Sequence, residues 1–176
     1  GQRTTASGTV RFNDVPVADG DVVALVPAAQ RPGLAGPVSQ LIQAAIDAGI
    51  AQAAFDDALV FVQTRTRPWT DSGAAQATDD PYIIQEVGQL QIEVAAAHQV
   101  LLHASRELDE IARHPVTDAS SAQASIAVAR AKILTTEAAL NASEKLFALA
   151  GSSATREAHN LDRHWRNARV HTLHDP

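Results

Sequence analysis

Residues 80–115 read DPYIIQEVGQLQIEVAAAHQVLLHASRELDEIARHP. Within them Ile83, Val87, Leu90, Val94, Ala97, Leu101, Ala104, Leu108 and Ile111 recur at alternating steps of four and three, the period of one apolar stripe on an α-helix. Asp80 is placed to accept the first free N–H groups, Pro81 is preorganised for the first helical position, and Pro115 stops the helix. The stretch therefore predicts a helix over about 81–114. At ~1.5 Å per residue such a helix is ~45 Å or more long, a length that suits a bundle of long helices.

The flanking sequence repeats the theme. Residues 37–66 place Val38, Leu41, Ala45, Ala48, Phe55, Leu59 and Val62 on one stripe, with Pro37 at the start and Arg67-Pro68 as the stop. Residues 120–149 do the same with Ala122, Ile126, Ala129, Ile133, Leu140 and Phe147, before Gly151. A shorter fourth helix is expected over 156–169. Alanine supplies 35 of the 176 residues while aromatics are 4%. Ala is the best helix former and has the smallest side chain that keeps a Cβ, so the core should be slim and the helices close. The fold class is mainly α, an antiparallel four-helix bundle of long helices.

The first 36 residues differ. Thr9-Val10-Arg11-Phe12-Asn13-Asp14-Val15-Pro16-Val17 alternates apolar and polar residues around a possible Asn13-Asp14 turn, and Val22–Val26 is a short apolar run. These are read as a remnant of sheet, two or three strands whose edges need a partner. Pro27, Pro32, Gly33, Gly36 and Pro37 mark a linker. The expected organisation is 1–36 as the end of a sheet-bearing unit with its linker, and 37–176 as the helical bundle. With no Met in the chain, the sequence reads as a piece of a longer protein.

Composition removes several functional classes. With no Cys there is no disulfide framework, thiolate metal site or thiol nucleophile, and a cytoplasmic setting is the default. No apolar run approaches the ~18 residues that a membrane-spanning helix needs. The net charge of −6 divides unevenly: residues 1–120 carry 7 basic and 15 acidic side chains, residues 121–176 carry 7 and 5. An acidic body argues against nucleic-acid binding, while the cationic end can hold a small anion. No Glu-x-x-His pair of a di-iron bundle occurs, nor a Gly-x-Gly-x-x-Gly, P-loop or Gly-x-Ser-x-Gly motif. Glu110 and His114 read as an exposed ion pair, and His98 and His103 as surface or boundary residues.

The chemistry concentrates at the end. From Arg156 onward the chain holds four Arg, four of its seven His, and Trp165. Gly151-Ser152-Ser153 ahead of a helix offers backbone N–H groups and hydroxyls suited to a phosphate. His171 and His174 are residue types that donate to an oxygen or move a proton near neutral pH. A solvated polar helix with Trp165 packed on the bundle is the plainer alternative.

The run Asn160-Leu161-Asp162-Arg163-His164-Trp165-Arg166-Asn167-Ala168-Arg169-Val170-His171-Thr172-Leu173-His174-Asp175-Pro176 resembles the C-terminal signature of flavin-dependent monooxygenases with the acyl-CoA dehydrogenase fold, in the dibenzothiophene monooxygenase-like and sulfur-acquisition branch. Arg65-Thr66-Arg67-Pro68-Trp69-Thr70, Asp79-Asp80-Pro81-Tyr82 and the Thr9–Val17 segment resemble the same branch, the last as closing strands of its middle β-domain. The resemblance implies a flavin, FMN or FAD, between domains, phosphate contacts from the end of a neighbouring subunit's first bundle helix, and a homo-oligomer, dimer or tetramer. Carried over, Arg67 is the first choice for the phosphate and Arg65 the second. Trp69 is a packing neighbour, and Gly151, Ser152 and Ser153 form the flavin-lining loop.

Acyl-CoA dehydrogenases typically follow Arg-Asp-Ala-Arg with Ile-Tyr-Glu-Gly, whose Glu is the base in many members. Here Arg166-Asn167-Ala168-Arg169 is followed by Leu173-His174-Asp175-Pro176. The resemblance to the monooxygenase branch implies oxygenation of a small organosulfur or related apolar substrate through a C4a-hydroperoxyflavin, with a flavin reductase supplying reduced flavin. His174 would be the donor to oxygen, His171 its partner, and Asp175 a shortened base if the chemistry is dehydrogenase-like. An acyl-CoA dehydrogenase and a non-catalytic oligomerisation module are the alternatives, and the 176-residue chain alone is expected to be inactive.

Overall fold

The computed structural model describes residues 8–23 and 31–173. Helices α1 (Ala35–Thr64), α2 (Pro81–Ala112) and α3 (Asp118–Ala150) are long, and α4 (Asp162–His171) is short. The N-terminal half of α1 packs with the C-terminal half of α2 and the N-terminal half of α3 around Ala44, Leu108 and Val128. The C-terminal half of α1 packs with the start of α2 and the end of α3 around Phe55, Leu90 and Leu146. So α1 and α3 run parallel, each antiparallel to α2, and α4 returns antiparallel along α1 and α3: the antiparallel four-helix bundle. No helix among the described residues is long and apolar enough to cross a membrane.

The α2 boundaries follow from its caps. The Asp80 carboxylate accepts from Tyr82 N–H at 2.9 Å, and Pro81 opens the helix. Leu90, Val94, Ala97, Ala104 and Leu108 are buried and the other four stripe positions half-buried. Helix α3 starts at Asp118, not 120, because Thr117 and Ser120 form a reciprocal cap. It ends where Gly151 adopts φ 77, a left-handed value that an L side chain resists. Helix α1 begins at Ala35, two residues before Pro37. Within the first turn the missing proline N–H costs nothing, because that group has no intrahelical acceptor.

Three expectations are corrected. Among the described residues there is no strand: Thr9–Val17 lies unpaired, with Val10 and Phe12 exposed, because no second strand is present to take its N–H and C=O groups. A bend at Asp14, with φ 47, stands where the Asn13-Asp14 turn was expected, and Ala24–Val26 fall outside the described residues. The fourth helix begins at Asp162 instead of 156. Two 3-10 turns, Ser152–Thr155 and Glu157–His159, precede it, and Asn160 at φ 49 breaks the helical path.

The third correction concerns faces. On α1 and α3 it is alanine that meets the neighbour: Ala44, Ala48, Ala51, Ala54 and Ala58 face Ala124, Ala127, Ala131, Ala138, Ala139 and Ala142, all buried. Val38 and Ala45, expected inside, are exposed, as are Ala122, Ile126, Ala129 and Ile133, the last at 57%. The rest of the expected α1 stripe is inside, with Ala48, Phe55 and Val62 buried and Leu41 and Leu59 half-buried; close backbone approach selects small residues for the α1–α3 contact and leaves Ile126 and Ile133 outside it.

Candidate functional site

Helix α1 closes when Arg65 N–H and Thr66 N–H both bond to the Phe61 carbonyl, at 2.8 and 3.1 Å. The chain then turns away, leaving Arg65 and Arg67 exposed. Beside this end lies the end of α3, where Gly151 redirects the chain into the 3-10 turn of Ser152–Thr155. Between them opens a cavity of about 560 Å³, lined by Phe61, Arg65, Thr66, Arg67, Ala150, Gly151, Ser152, Ser153, Arg156 and His159.

The lining explains what the cavity can hold. Three guanidinium-bearing side chains and no carboxylate face it. The first N–H groups of the 3-10 turn have no intrahelical acceptor. Gly151 has open space where a Cβ would stand, so a ligand can approach its backbone. His159 is held edge-on against Phe61, with ring centroids 5.2 Å apart and planes at 86°. The arrangement suits a small dianion, for which arginine is the best planar donor.

Five of the sequence-expected residues therefore converge here: Arg65, Arg67, Gly151, Ser152 and Ser153. Trp69 does not line this cavity. It stands 72% exposed in an adjoining cleft with Tyr82, Glu86 and Lys145, and only Thr66, Arg67 and Gly151 belong to both. Arg156 and His159 were missed, because the two 3-10 turns that bring them round are not visible in a helical periodicity.

His171 lies elsewhere, at the last position of α4. Its Nδ1 is 2.6 Å from Oδ1 of Asp47, a fully buried carboxylate on α1. The other oxygen of Asp47 accepts from the Thr136 hydroxyl at 2.9 Å, and Lys132 Nζ stands 3.9 Å from it. His174 and Asp175 lie outside the described residues. One signal could have revealed Asp47: it interrupts the buried run Ala44, Ala48, Ala51, and a charge on such a stripe requires a partner.

A second pair joins the same helices. His164 Nε2 is 2.7 Å from Asp57 Oδ2, which also accepts from Arg163. Burial pushes the His164 imidazole below its ordinary value, more strongly than the Asp57 hydrogen bond raises it, and the Arg163 charge adds to the depression. For Asp57 burial acts upward, but the hydrogen bonds and charges of His164 and Arg163 together hold it below the usual carboxylate range. At neutral pH the pair is thus neutral imidazole donating to carboxylate.

Residues 41–176 match the family described as acyl-CoA dehydrogenase, C-terminal domain. The dibenzothiophene monooxygenase of Mycolicibacterium goodii is 34% identical, over all of this chain and 45% of that protein. The probable FMNH2-dependent monooxygenase SfnC of Pseudomonas putida is also 34% identical, over all of this chain and 46% of its own length. The FMN-bound crystal structure of TdsC from Paenibacillus sp. A11-2 superposes with a TM-score of 0.76 at 32% identity, covering 80% of this chain and 36% of that one. The chain thus spans less than half the length of the curated relatives it matches. With the bundle, the helix ends and the family match over residues 41–176 in agreement, the chain belongs to the acyl-CoA dehydrogenase C-terminal domain family.

Proposed function

We propose that the chain serves as the C-terminal bundle of a flavin-dependent monooxygenase that oxygenates a small organosulfur or related apolar substrate, with FMN as its flavin and a separate flavin reductase as the source of reduced cofactor. The observation that carries this reading is the carboxylate-free cavity at the joined ends of α1 and α3, with Arg65, Arg67 and Arg156 on its wall. It agrees with the activity named for a relative that is similar along the whole chain. Bound reduced FMN supplies the electrons for activating O2.

The residues of this chain bind and orient. Arg67 and Arg65, joined by Arg156, hold the terminal phosphate through charge-assisted hydrogen bonds, and the Gly151-Ser152-Ser153 backbone lets it sit close. Trp69, in the adjoining cleft, is assigned the role of a packing neighbour. His174 is assigned the donor role toward oxygen and His171 the role of its partner, with Asp175 as the neighbouring carboxylate. Residues 1–36 are assigned to the end of a β-domain and 37–176 to the bundle. The outward apolar residues of α1 and α3, among them Ile42, Ile46, Ile126 and Ile133, seat a second copy beside a groove of about 450 Å³ whose wall is both apolar, with Pro37, Val128, Ala129 and Ile133, and polar, with Ser39, Gln40, Ser125 and Lys132.

The test compares FMN with riboflavin, which lacks the phosphate. Arg67→Ala in the full-length enzyme should weaken FMN binding about tenfold or more, since a charge-assisted hydrogen bond contributes about 1.5–3 kcal/mol, and leave riboflavin binding unchanged. Equal loss for both ligands would remove the phosphate assignment. Absence of sulfoxidation with reduced FMN and O2 in the wild-type enzyme would remove the monooxygenase reading itself.

A further inference from the structure

A carboxylate in a protein interior is costly unless every lone pair is used. Asp47 is fully buried, and it does more than fasten α4 to α1, which Asp57 and His164 also do. What Asp47 contributes is direction. Its Oδ1 takes the hydrogen bond of His171 Nδ1 at 2.6 Å, and its Oδ2 that of the Thr136 hydroxyl at 2.9 Å. Lys132 Nζ, buried and without a hydrogen-bond partner, stands 3.9 Å from Oδ2 and supplies charge. The carboxylate is thus anchored from α3 and presents one oxygen to one ring nitrogen.

A carboxylate only accepts, so the proton of that hydrogen bond resides on Nδ1, and in the neutral ring Nε2 is left as a lone-pair acceptor. Nε2 of His171 has no hydrogen-bond partner among the described residues and is not one of their buried unpaired atoms. It is therefore the ring nitrogen left for whatever meets the end of α4. His164, seven residues earlier on the same helix, is committed the opposite way, with Nε2 on Asp57.

We propose that Asp47, anchored by Thr136 and Lys132, is a positioning residue that fixes His171 as the Nδ1–H tautomer and presents Nε2 as a hydrogen-bond acceptor at the tail of the bundle. The catalytic consequence rests on the flavoenzyme reading; the tautomer does not. In that reading His171 accepts from the neighbouring donor or the ligand, and the donor role toward oxygen falls to His174.

Long-range proton–nitrogen NMR on the histidine-labelled chain, above neutral pH, tests the tautomer directly. His171 should be protonated on Nδ1 and His164 on Nε2, each serving as the other's control. In Asp47→Asn the amide can donate to Nδ1, so His171 should move toward the Nε2–H form while His164 stays unchanged. Thr136→Val removes one anchor but not the acceptor, and should keep His171 as Nδ1–H. A wild-type His171 found as Nε2–H overturns the proposal without any variant. So does an Asp47→Asn chain that is folded with an unchanged tautomer. In the full-length enzyme Asp47→Asn should lower kcat about tenfold or more, as loss of an orienting carboxylate does elsewhere, with FMN affinity retained. A switched tautomer with unchanged kcat would leave Asp47 no positioning role in the reaction, whereas failure of the wild type to bind FMN would sink the flavoenzyme reading alone.

Discussion

Two aspartate–histidine pairs hold α4 against α1, and they are built on different terms. Asp47 is wholly buried and draws on Thr136 and Lys132 of α3 besides His171. The Asp57 side chain is 34% exposed, and its extra partner, Arg163, comes from α4 itself. The first pair therefore ties three helices in a dry interior, and the second ties two at the edge of solvent. Water screens and partly replaces the outer contact; nothing replaces the inner one.

Removing each carboxylate should expose this contrast. Asp47→Ala leaves the buried His171 imidazole and the part-buried Thr136 hydroxyl without their acceptor and the buried Lys132 ammonium without its counter-charge, a change of the kind that costs about 3–5 kcal/mol. In a family bundle made largely of alanine contacts that is a large share of a stability of about 5–15 kcal/mol, and urea unfolding should reveal it as a strongly lowered midpoint. Asp57→Ala should cost less, about 1–2 kcal/mol, because only the His164 N–H is left unpaired in the interior. Arg163 can turn to water. Equal losses in the two variants would mean that burial is not what separates the pairs. Arg163→Ala should fall lower still, within about 1 kcal/mol, since its side chain is 38% exposed.

The contrast also explains what sequence could and could not disclose. The α2 stripe was legible at all nine positions because volume and periodicity largely coincide there: seven of the nine are Leu, Val or Ile, although Ile84, Ile92 and Leu102 of the same helix are exposed. On α1 and α3 they separate. Alanine makes most of the contact and Ile126 and Ile133 point outward, so a reading that follows the large residues selects the wrong face in the first half of α3, though it finds Phe55 and Val62 on α1. The placing of Arg65, Arg67 and Gly151 at helix ends was legible because proline and glycine mark such ends, whereas their role toward a flavin comes from the family resemblance. Asp47 was not, since its partner His171 lies 124 residues away and nothing local announces a contact at that range. Arg156 depended on a turn geometry that has no period.

The smallest effect is the most specific to the outer pair. His164 has its folded value below the ordinary 6.5, and Asp57 below the ordinary 3.8. For both groups the unfolded chain binds protons before the folded one does, so stability falls as acid is added. The His164 contribution is whole above 6.5 and diminishes as pH drops from there toward the folded value. The Asp57 contribution persists to lower pH and is lost only below 3.8. Between about pH 7.5 and about pH 5 the wild-type chain should thus lose stability to acid, and His164→Gln, which cannot take up that proton, should lose measurably less. Urea midpoints at the two pH values decide it. If wild type and variant lost equal amounts, the imidazole at Asp57 would not be the group that takes up the proton, and the neutral-donor description of the outer pair would have to be abandoned.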